Sequence, residues 1–419
     1  MSRTTLNVLG VALACLYALL APVMIQNGLE PLLPGRFGRM QLADLLAPAM
    51  AAWLAWDWRS RPPRLAPEAR FPVALLLLAA AYVAAGPASG YLADGRLPIA
   101  DTLKRFYLAL TLVFYVRVLR IENAALIVLW ATIYWLVLVA ALALGFYGAH
   151  LVTGEANLFV RPGGVFLMEF GPGQLVGPMR PTEKLFATYL LLLAAALAFG
   201  RSQFDRLTWR LLWALLAVCS LLTFCRPGIL AVLFLCLAAV PRAWRWHAAA
   251  LVAGLTAVLL ASAVFDLNYL LGAGGLRLTE AYYLKRVGLA AWWSAPVLGI
   301  GPEHFYDAWQ RALAAGLVPA TMLGLLPETP DSSYVHLAVE TGLIGLLAWF
   351  GMLALMLRAL WWRAADVPGG RWLIAAWLAL FAAALIDLTA TNFRFLYVLV
   401  PLIAAIPSHR LAVPPSKDL

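Results

Sequence analysis

Twelve long apolar runs, joined by connectors that are mostly short, take up almost the whole of this chain. A helix needs about 20 apolar residues to cross a bilayer, and it satisfies its own backbone hydrogen bonds there. The predicted spans are 6–25, 41–57, 71–90, 100–119, 123–149, 183–200, 207–224, 227–241, 246–265, 333–357, 371–388 and 393–408. The pattern therefore predicts an all-α, polytopic membrane helical bundle of about 12 transmembrane helices.

The composition agrees with that prediction. Of the 419 residues, 63% are apolar and 12% are charged, whereas about a quarter of a soluble domain is charged. Most arginines lie in connectors, so the net charge of +10 indicates membrane topology and lipid headgroup contact rather than nucleic-acid binding. The cysteines have neither metal-ligand spacing nor a disulfide framework and are predicted to be packing residues: Cys15, Cys219, Cys225 and Cys236.

The connectors also predict an orientation. If the N-terminus is cytoplasmic, every even-numbered connector is basic, which is the positive-inside pattern. The arginines of the first such connectors are Arg59, Arg61, Arg64 and Arg70, followed by Arg117 and Arg120. The first run is predicted to be a retained span, because residues 21–23 make a poor signal-peptide cleavage site. Twelve spans then place both termini in the cytoplasm.

Two outer connectors are long and divide the chain. The predicted organisation is spans one to nine in 1–265 with an outer loop at 150–182, a long outer loop at 266–332, spans ten to twelve in 333–408, and a cytoplasmic tail at 409–419. The long loop contains a predicted amphipathic helix at 278–294 and a second helical stretch at 303–316. The segment 289–293 is apolar enough to lie on the outer leaflet.

Several basic residues fall on the predicted outer side, where positive charge is not expected. They are Arg161, Arg180, Lys184, Arg226, Arg277, Lys285, Arg286, Arg311 and Arg394. Arg226 lies at the tip of the hairpin between the seventh and eighth spans, where it is either an anion ligand or a snorkelling residue that ends a helix. Lys285 and Arg286 either bind the same anion as Arg226 or lie on a solvated helix face. Guanidinium groups suit phosphate oxygens because they bind in a bidentate fork.

A polar stretch opens the tenth predicted span. Asp331 or Ser332 is suited to be the N-cap of that helix. His336 follows about one and a half turns later, and a histidine at the mouth of a span is a candidate general base. His304, in the long loop, is a weaker alternative for that role.

Three stretches carry a resemblance to a known family. Residues 222–228 resemble a Thr-x-Ser-Arg-Gly turn with Arg226 as its arginine, and Arg286 followed by 296–302 resembles an Arg…Pro-x-x-Gly-x-Gly region. Residues 331–345 resemble a motif of His, then Asn, Ser or Gln, nine residues, Gly, two residues and Gly. In this order, and with a large outer loop before the tenth span, they resemble the O-antigen ligase and polymerase superfamily of bacterial membrane glycosyltransferases.

The last stretch departs from the family pattern at its histidine. The spacing to Gly342 and Gly345 puts Asp331 in the histidine position, and His336 comes five residues later. Five residues turn a helix by about 140°, so the two do not share a face. Three alternatives follow: His336 swings into the site, Asp331 takes the role of the base, or no base is needed.

The resemblance implies a GT-C-like bundle and an O-antigen ligase. Such an enzyme transfers a glycan from an undecaprenyl-diphosphate carrier to lipid A–core, at the periplasmic face of the bacterial inner membrane, without a metal or another cofactor. The implied diphosphate ligands are Arg226 and Arg286, assisted by Lys285 or Arg394. The implied partners are the lipid-linked glycan, the lipid A–core acceptor and membrane lipids. The alternatives are a polymerase that extends the lipid-linked glycan and, from another class, a secondary transporter or flippase.

Overall fold

The computed structural model describes residues 2–20, 42–60, 70–95, 98–155, 159–161, 174–175, 183–199, 204–223, 232–233, 254, 276–302, 304–319, 322, 330, 332–364 and 374. This part of the chain is almost entirely helical, so the all-α prediction is confirmed there. The helices are α1 (Arg3–Leu20), α2 (Ala47–Ser60, entered through a 3-10 turn at Leu42–Leu46), α3 (Arg70–Asp94), α4 (Ile99–Val118), α5 (Ala124–Thr153), α6 (Glu183–Phe199), α7 (Arg206–Leu222), α8 (Leu276–Ser294), α9 (Phe305–Ala314) and α10 (Ser333–Ala364). A two-residue antiparallel pairing joins Val160–Arg161 to Gln174–Leu175.

Each of these helices coincides with a segment that the sequence predicts to be helical. Helices α1 to α7 match the first seven predicted spans, α8 and α9 match the two helical stretches of the long loop, and α10 matches the tenth span. The remaining predicted spans, 227–241, 246–265, 371–388 and 393–408, lie outside the described residues.

Three helices of the described chain are long and apolar enough to cross a membrane. They are Arg3–Leu20, Ala124–Thr153 and Ser333–Leu355. A bilayer core about 30 Å thick requires about 20 helical residues, which these segments supply or approach. The chain is therefore a helical membrane protein.

Two main apolar cores, and a third that joins α8 and α9 to Val339 of α10, hold the described helices together. The larger core joins α5, α6 and α7 to α3 and α10, and α6 lies deep in it, with Leu191, Leu192 and Leu193 fully buried. A helix that is apolar on every side is buried on every side, which accounts for the position of α6. The smaller core joins α1, α2 and α4 to the start of α5. Cys219 is a buried free thiol in α7, in line with its predicted packing role.

Helices α3 and α10 pack against each other in opposite directions. Near the middle of both helices, the ring centroids of Tyr82 and Trp349 lie 5.6 Å apart. Further along α3, Ser89 donates a hydrogen bond to the carbonyl of Gly299, in the loop that contacts the first half of α10. The end of α3 and the starts of α4 and α10 therefore meet at one end of the bundle, which we call the α10 end.

Candidate functional site

Helix α10 is broken at Gly342, at the α10 end of the bundle. Gly342 has φ 59° and ψ −158°, a conformation that side-chain-bearing residues rarely adopt. The break takes the N–H groups of Leu343 and Ile344 out of the helical hydrogen-bond pattern. In a bilayer such groups need another partner, because no water is available to them.

The loop of residues 296–301, directly after α8, supplies those partners. The N–H of Leu343 donates to the carbonyl of Pro296 at 2.8 Å, and the N–H of Ile344 donates to the carbonyl of Val297 at 3.2 Å. In return, the N–H of Ile300 donates at 2.8 Å to a carbonyl of α10 just before the break. The loop and the broken helix are therefore joined by three backbone hydrogen bonds.

Two glycines make this close approach possible. A Cβ on Gly342 would lie 2.3 Å from the carbonyl oxygen of Val297. A Cβ on Gly299, whose φ is 77°, would lie 2.4 Å from the carbonyl oxygen of Val339. Both distances are far below van der Waals contact, and both neighbours are backbone atoms. Glycine is thus required at both positions, and these are glycines of the second and third stretches that carry the family resemblance.

A buried ion pair lies next to the break. Nη2 of Arg105, in α4, donates to Oε2 of Glu340, in α10, at 2.8 Å, and the arginine side chain is 3% exposed. The guanidinium carbon lies 4.7 Å from the ring centroid of Tyr82, within the range of a cation–π contact. A Cβ on Gly86 would lie 2.4 Å from Nε of Arg105, so this glycine leaves the space that the guanidinium group occupies.

His336 extends this ion pair toward the start of α10. Its Nε2 lies 3.3 Å from Oε1 of Glu340, which is four residues further along the helix. Residues four apart face each other on a helix. Nδ1 of His336 is buried and has no hydrogen-bond partner among the residues that the structure describes. Glu340 thus lies between Arg105 and His336 and contacts both.

His304, the weaker candidate for the base, lies between two carboxylates. Its Nε2 is 3.0 Å from Oδ2 of Asp94, the last residue of α3, and its Nδ1 is 3.4 Å from Oδ2 of Asp307, in α9. Both carboxylates are more than half exposed. His304 therefore ties α9 to the end of α3.

Lys285 and Arg286, predicted to grip one anion together, lie on different faces of α8. Lys285 is buried and Arg286 is exposed. The face near Lys285 packs on the start of α10, since a Cβ on Gly288 would lie 2.5 Å from Cγ1 of Val335. Consecutive helical residues are separated by about 100° of rotation, which is why the two cations diverge. The joint binding of one anion by both residues stays a prediction.

Three other predicted site residues lie outside the described residues: Arg226, Asp331 and Arg394. Of the two predicted N-cap residues, Ser332 directly precedes α10, is buried, and accepts a hydrogen bond on its carbonyl from the N–H of His336 at 2.9 Å.

Arg105 and Glu340 were not predicted as site residues, although the sequence holds a signal for each. Arg105 is a charge within the predicted span 100–119, and a charge inside a span requires a partner. Glu340 follows His336 by four residues on a predicted helix, which places the two side chains on one face. The contact between Arg105 and Glu340 joins residues that are 235 positions apart, and no local sequence pattern indicates it.

Across the described ranges, no group of three or more His, Cys, Asp and Glu side chains is arranged to hold a metal ion. The metal-independent reaction stays a prediction. Comparison with known proteins gives no matching protein-family model and no matching curated protein. The resemblance to the O-antigen ligase and polymerase superfamily therefore rests on the three short stretches and on the predicted arrangement of spans and outer loops.

Proposed function

We propose that this chain is a membrane glycosyltransferase, specifically an O-antigen ligase that moves a glycan from an undecaprenyl-diphosphate carrier to lipid A–core. The proposed reaction takes place at the α10 end of the bundle, on the periplasmic face of the inner membrane. The partners are the lipid-linked donor, the lipid A–core acceptor and the surrounding lipids.

One observation carries the proposal: two of the three stretches behind the family resemblance form a single substructure. The 296–301 loop satisfies the backbone of α10 at Gly342, and glycine is required on both sides of the contact. Motifs that are distant in sequence but interlocked in space share one structural purpose. Here they fix the helix that carries Arg286 against the helix that carries His336 and Glu340.

The direction of the helices supports the proposed topology. If the spans cross in the predicted order, the third ends, and the tenth begins, on the outer side. That order requires α3 and α10 to run antiparallel, as they do. It also brings the end of α3, the start of α4 and the start of α10 to one side of the membrane, together with the loop after α8.

The proposed chemistry follows from the leaving group. The acceptor hydroxyl oxygen bonds to the anomeric carbon of the donor sugar, the bond from that carbon to the diphosphate oxygen breaks, and the diphosphate leaves with the electron pair. Fixed cations stabilise the charge that develops on it, and the proposed ligands are Arg226, Arg286, Lys285 and Arg394. Asp331 or His336 accepts the hydroxyl proton.

The test is a transfer assay with purified protein in detergent, undecaprenyl-diphosphate-linked glycan and lipid A–core. We expect the glycan to appear on lipid A–core without any ion gradient. Arg286→Ala should abolish transfer, whereas Arg311→Ala, which removes an exposed arginine of α9, is the matched control and should leave transfer near the wild-type rate. Full transfer by Arg286→Ala would remove this arginine from the mechanism, and no transfer by the wild type would refute the proposal.

A polymerase is the second candidate, favoured by Asp331 in the position where the ligase-type motif has histidine. The same assay separates the two functions by product. A polymerase lengthens the glycan on its lipid carrier, whereas a ligase leaves the carrier free and extends lipid A–core.

A transporter or flippase is the third candidate, because transporters also use broken helices. In such transporters the N–H groups at a helix break point toward the substrate. In this chain the N–H groups of Leu343 and Ile344 are already bound to the 296–301 loop, which favours a structural purpose for the break. Substrate movement that requires a gradient, with no transfer product, would support transport instead.

A further inference from the structure

We propose that Glu340 is the positioning residue of the site: it orients His336 as the general base and is itself held by Arg105. This inference rests on the proposed transfer reaction and assigns its proton acceptor to His336. The observation behind it is the contact chain in which Glu340 touches Arg105 through one carboxylate oxygen and His336 through the other.

The side chain of Glu340 is held in a fixed orientation. A buried guanidinium group donates to Oε2 at 2.8 Å, and charge-assisted hydrogen bonds of this kind are stronger than neutral ones. The guanidinium group is in turn confined by the ring of Tyr82 and by the backbone at Gly86. The carboxylate of Glu340 therefore has one orientation, with Oε1 directed at His336.

The contact with Glu340 determines which ring nitrogen of His336 carries the proton. A carboxylate accepts hydrogen bonds and donates none, so the ring nitrogen that faces it carries the proton. That nitrogen is Nε2, which lies 3.3 Å from Oε1. In the neutral ring the lone pair is then on Nδ1, because only one of the two nitrogens is protonated.

Nδ1 of His336 is buried, and within the described chain it has no hydrogen-bond partner. Buried polar atoms without a partner are rare in native proteins, and a catalytic role is one of the reasons for them. The acceptor hydroxyl supplies the missing hydrogen bond, and active-site hydrogen bonds commonly close only when substrate is bound.

The transfer step then balances as follows. The hydroxyl oxygen attacks the anomeric carbon, its proton passes to Nδ1 of His336, and the diphosphate leaves with the electrons of the broken bond. The imidazolium that forms faces the carboxylate of Glu340, which stabilises its charge. His336 is the catalytic residue, and Glu340 and Arg105 act through it.

The kinetic test compares Glu340→Gln with Asp57→Asn. Both remove the charge of a carboxylate that pairs with an arginine of α4, but Glu340 is the one that contacts His336. A glutamine amide can donate to Nε2 and hold the ring in the wrong tautomer. We expect Glu340→Gln to lose at least about 100-fold in kcat, with an unchanged KM for the lipid-linked donor, whereas Asp57→Asn keeps its kcat.

Arg105→Lys is a second variant that keeps the charge but not the planar guanidinium group. Arg105→Lys should lose less activity than Arg105→Gln, because the lysine keeps a positive charge beside Glu340. A wild-type kcat in Glu340→Gln, or a loss confined to KM, would overturn the inference.

A second measurement does not depend on transfer. The chain has five histidines, so ¹⁵N-histidine NMR of the protein in nanodiscs is tractable, and His336→Gln assigns the signal. We expect a protonated Nε2 and an unprotonated Nδ1 in the wild type, and the opposite tautomer in Glu340→Gln. An active chain with a protonated Nδ1 overturns this inference alone, whereas a wild-type chain without transfer overturns the proposed function.

Discussion

Helix α4 carries two arginines that pair with carboxylates of other helices, and the two pairs differ. Arg117, in the last turn, turns both Nε and Nη2 onto Oδ2 of Asp57 in α2. Arg105, near the start, donates through Nη2 to Oε2 of Glu340 in α10, and the other oxygen of Glu340 faces His336. The two arginines are twelve positions apart, which is about 18 Å along the helix.

The difference separates a structural pair from a functional one. The Asp57 pair holds α2 against α4, and its carboxylate side chain is 3% exposed. The Glu340 pair is joined to a titratable ring, lies beside the break at Gly342, and its carboxylate side chain is 15% exposed. An ion pair inside a membrane protein is expected to serve either packing or chemistry. The contact of Glu340 with His336 indicates that this pair serves chemistry.

The largest expected effect comes from removing one carboxylate of each pair. Glu340→Ala and Asp57→Ala each remove a carboxylate that accepts a hydrogen bond from an arginine of α4, and each should lower the free energy of unfolding by about 3–5 kcal/mol. Denaturant unfolding in detergent measures this. The comparison predicts equal losses of stability, but a loss of transfer per folded molecule only in Glu340→Ala. Loss of transfer in folded Asp57→Ala would break the distinction.

An intermediate effect is expected at the break that presents Glu340. Gly342→Ala forces an L residue into a left-handed conformation and against the carbonyl of Val297, which should cost about 1–3 kcal/mol or more. Gly154 has φ 70° and open space at its Cβ position, so Gly154→Ala measures the cost of the backbone conformation alone. This variant should lose about 1–2 kcal/mol in its free energy of unfolding.

Gly145, inside α5 with no neighbour near its Cβ position, is the control for both. Alanine there should stabilise the helix by up to about 1 kcal/mol. Thermal unfolding ranks the three variants. A Gly342→Ala variant as stable as Gly145→Ala would contradict the described break.

The smallest expected effect is at an exposed carboxylate that caps a helix. Asp205 caps α7, accepting hydrogen bonds from the N–H groups of Leu207 and Thr208 and from the Thr208 hydroxyl. These bonds, first that of the hydroxyl, hold the pKa of Asp205 below its ordinary value. Its stabilising contribution is therefore complete above the ordinary aspartate pKa, about 4. It is lost as the pH falls below that value through the lowered pKa.

Thermal unfolding of Asp205→Ala at neutral and acidic pH checks the sign. The wild type should be slightly more stable at neutral pH, and the difference should shrink in acid. A difference that grows as the pH falls would show that the carboxylate does not act through its ionised form.

Hydropathy predicts the described helices well because each depends on its own residues. The run 123–149 becomes α5, and the apolar segment 183–200 becomes α6, within a few residues of the predicted bounds. The predicted span 100–119 contains Arg117 near its inner end. The structure places Arg117 in the last turn of α4, where Asp57 accepts its hydrogen bonds.

The site was predicted less completely, because its contacts are distant in sequence. His336 was a candidate base from its position alone, but the pairing of Glu340 with Arg105 depends on how α4 and α10 pack. The burial of Lys285 and the exposure of Arg286 depend on how α8 packs. Glycine spacing indicated both the motif at 342 and the loop at 296–302, whereas no local pattern indicates that the two are in contact.

The most direct test replaces each ion pair by apolar residues of similar size. Removing both partners avoids an unpaired buried charge, so both double variants should stay folded with stabilities near that of the wild type. The measurement is the initial rate of glycan transfer from the undecaprenyl-diphosphate carrier in detergent. The account predicts a wild-type rate for Asp57→Leu/Arg117→Met and a rate at least about 100-fold lower for Glu340→Leu/Arg105→Met. Equal rates in the two folded variants would contradict it.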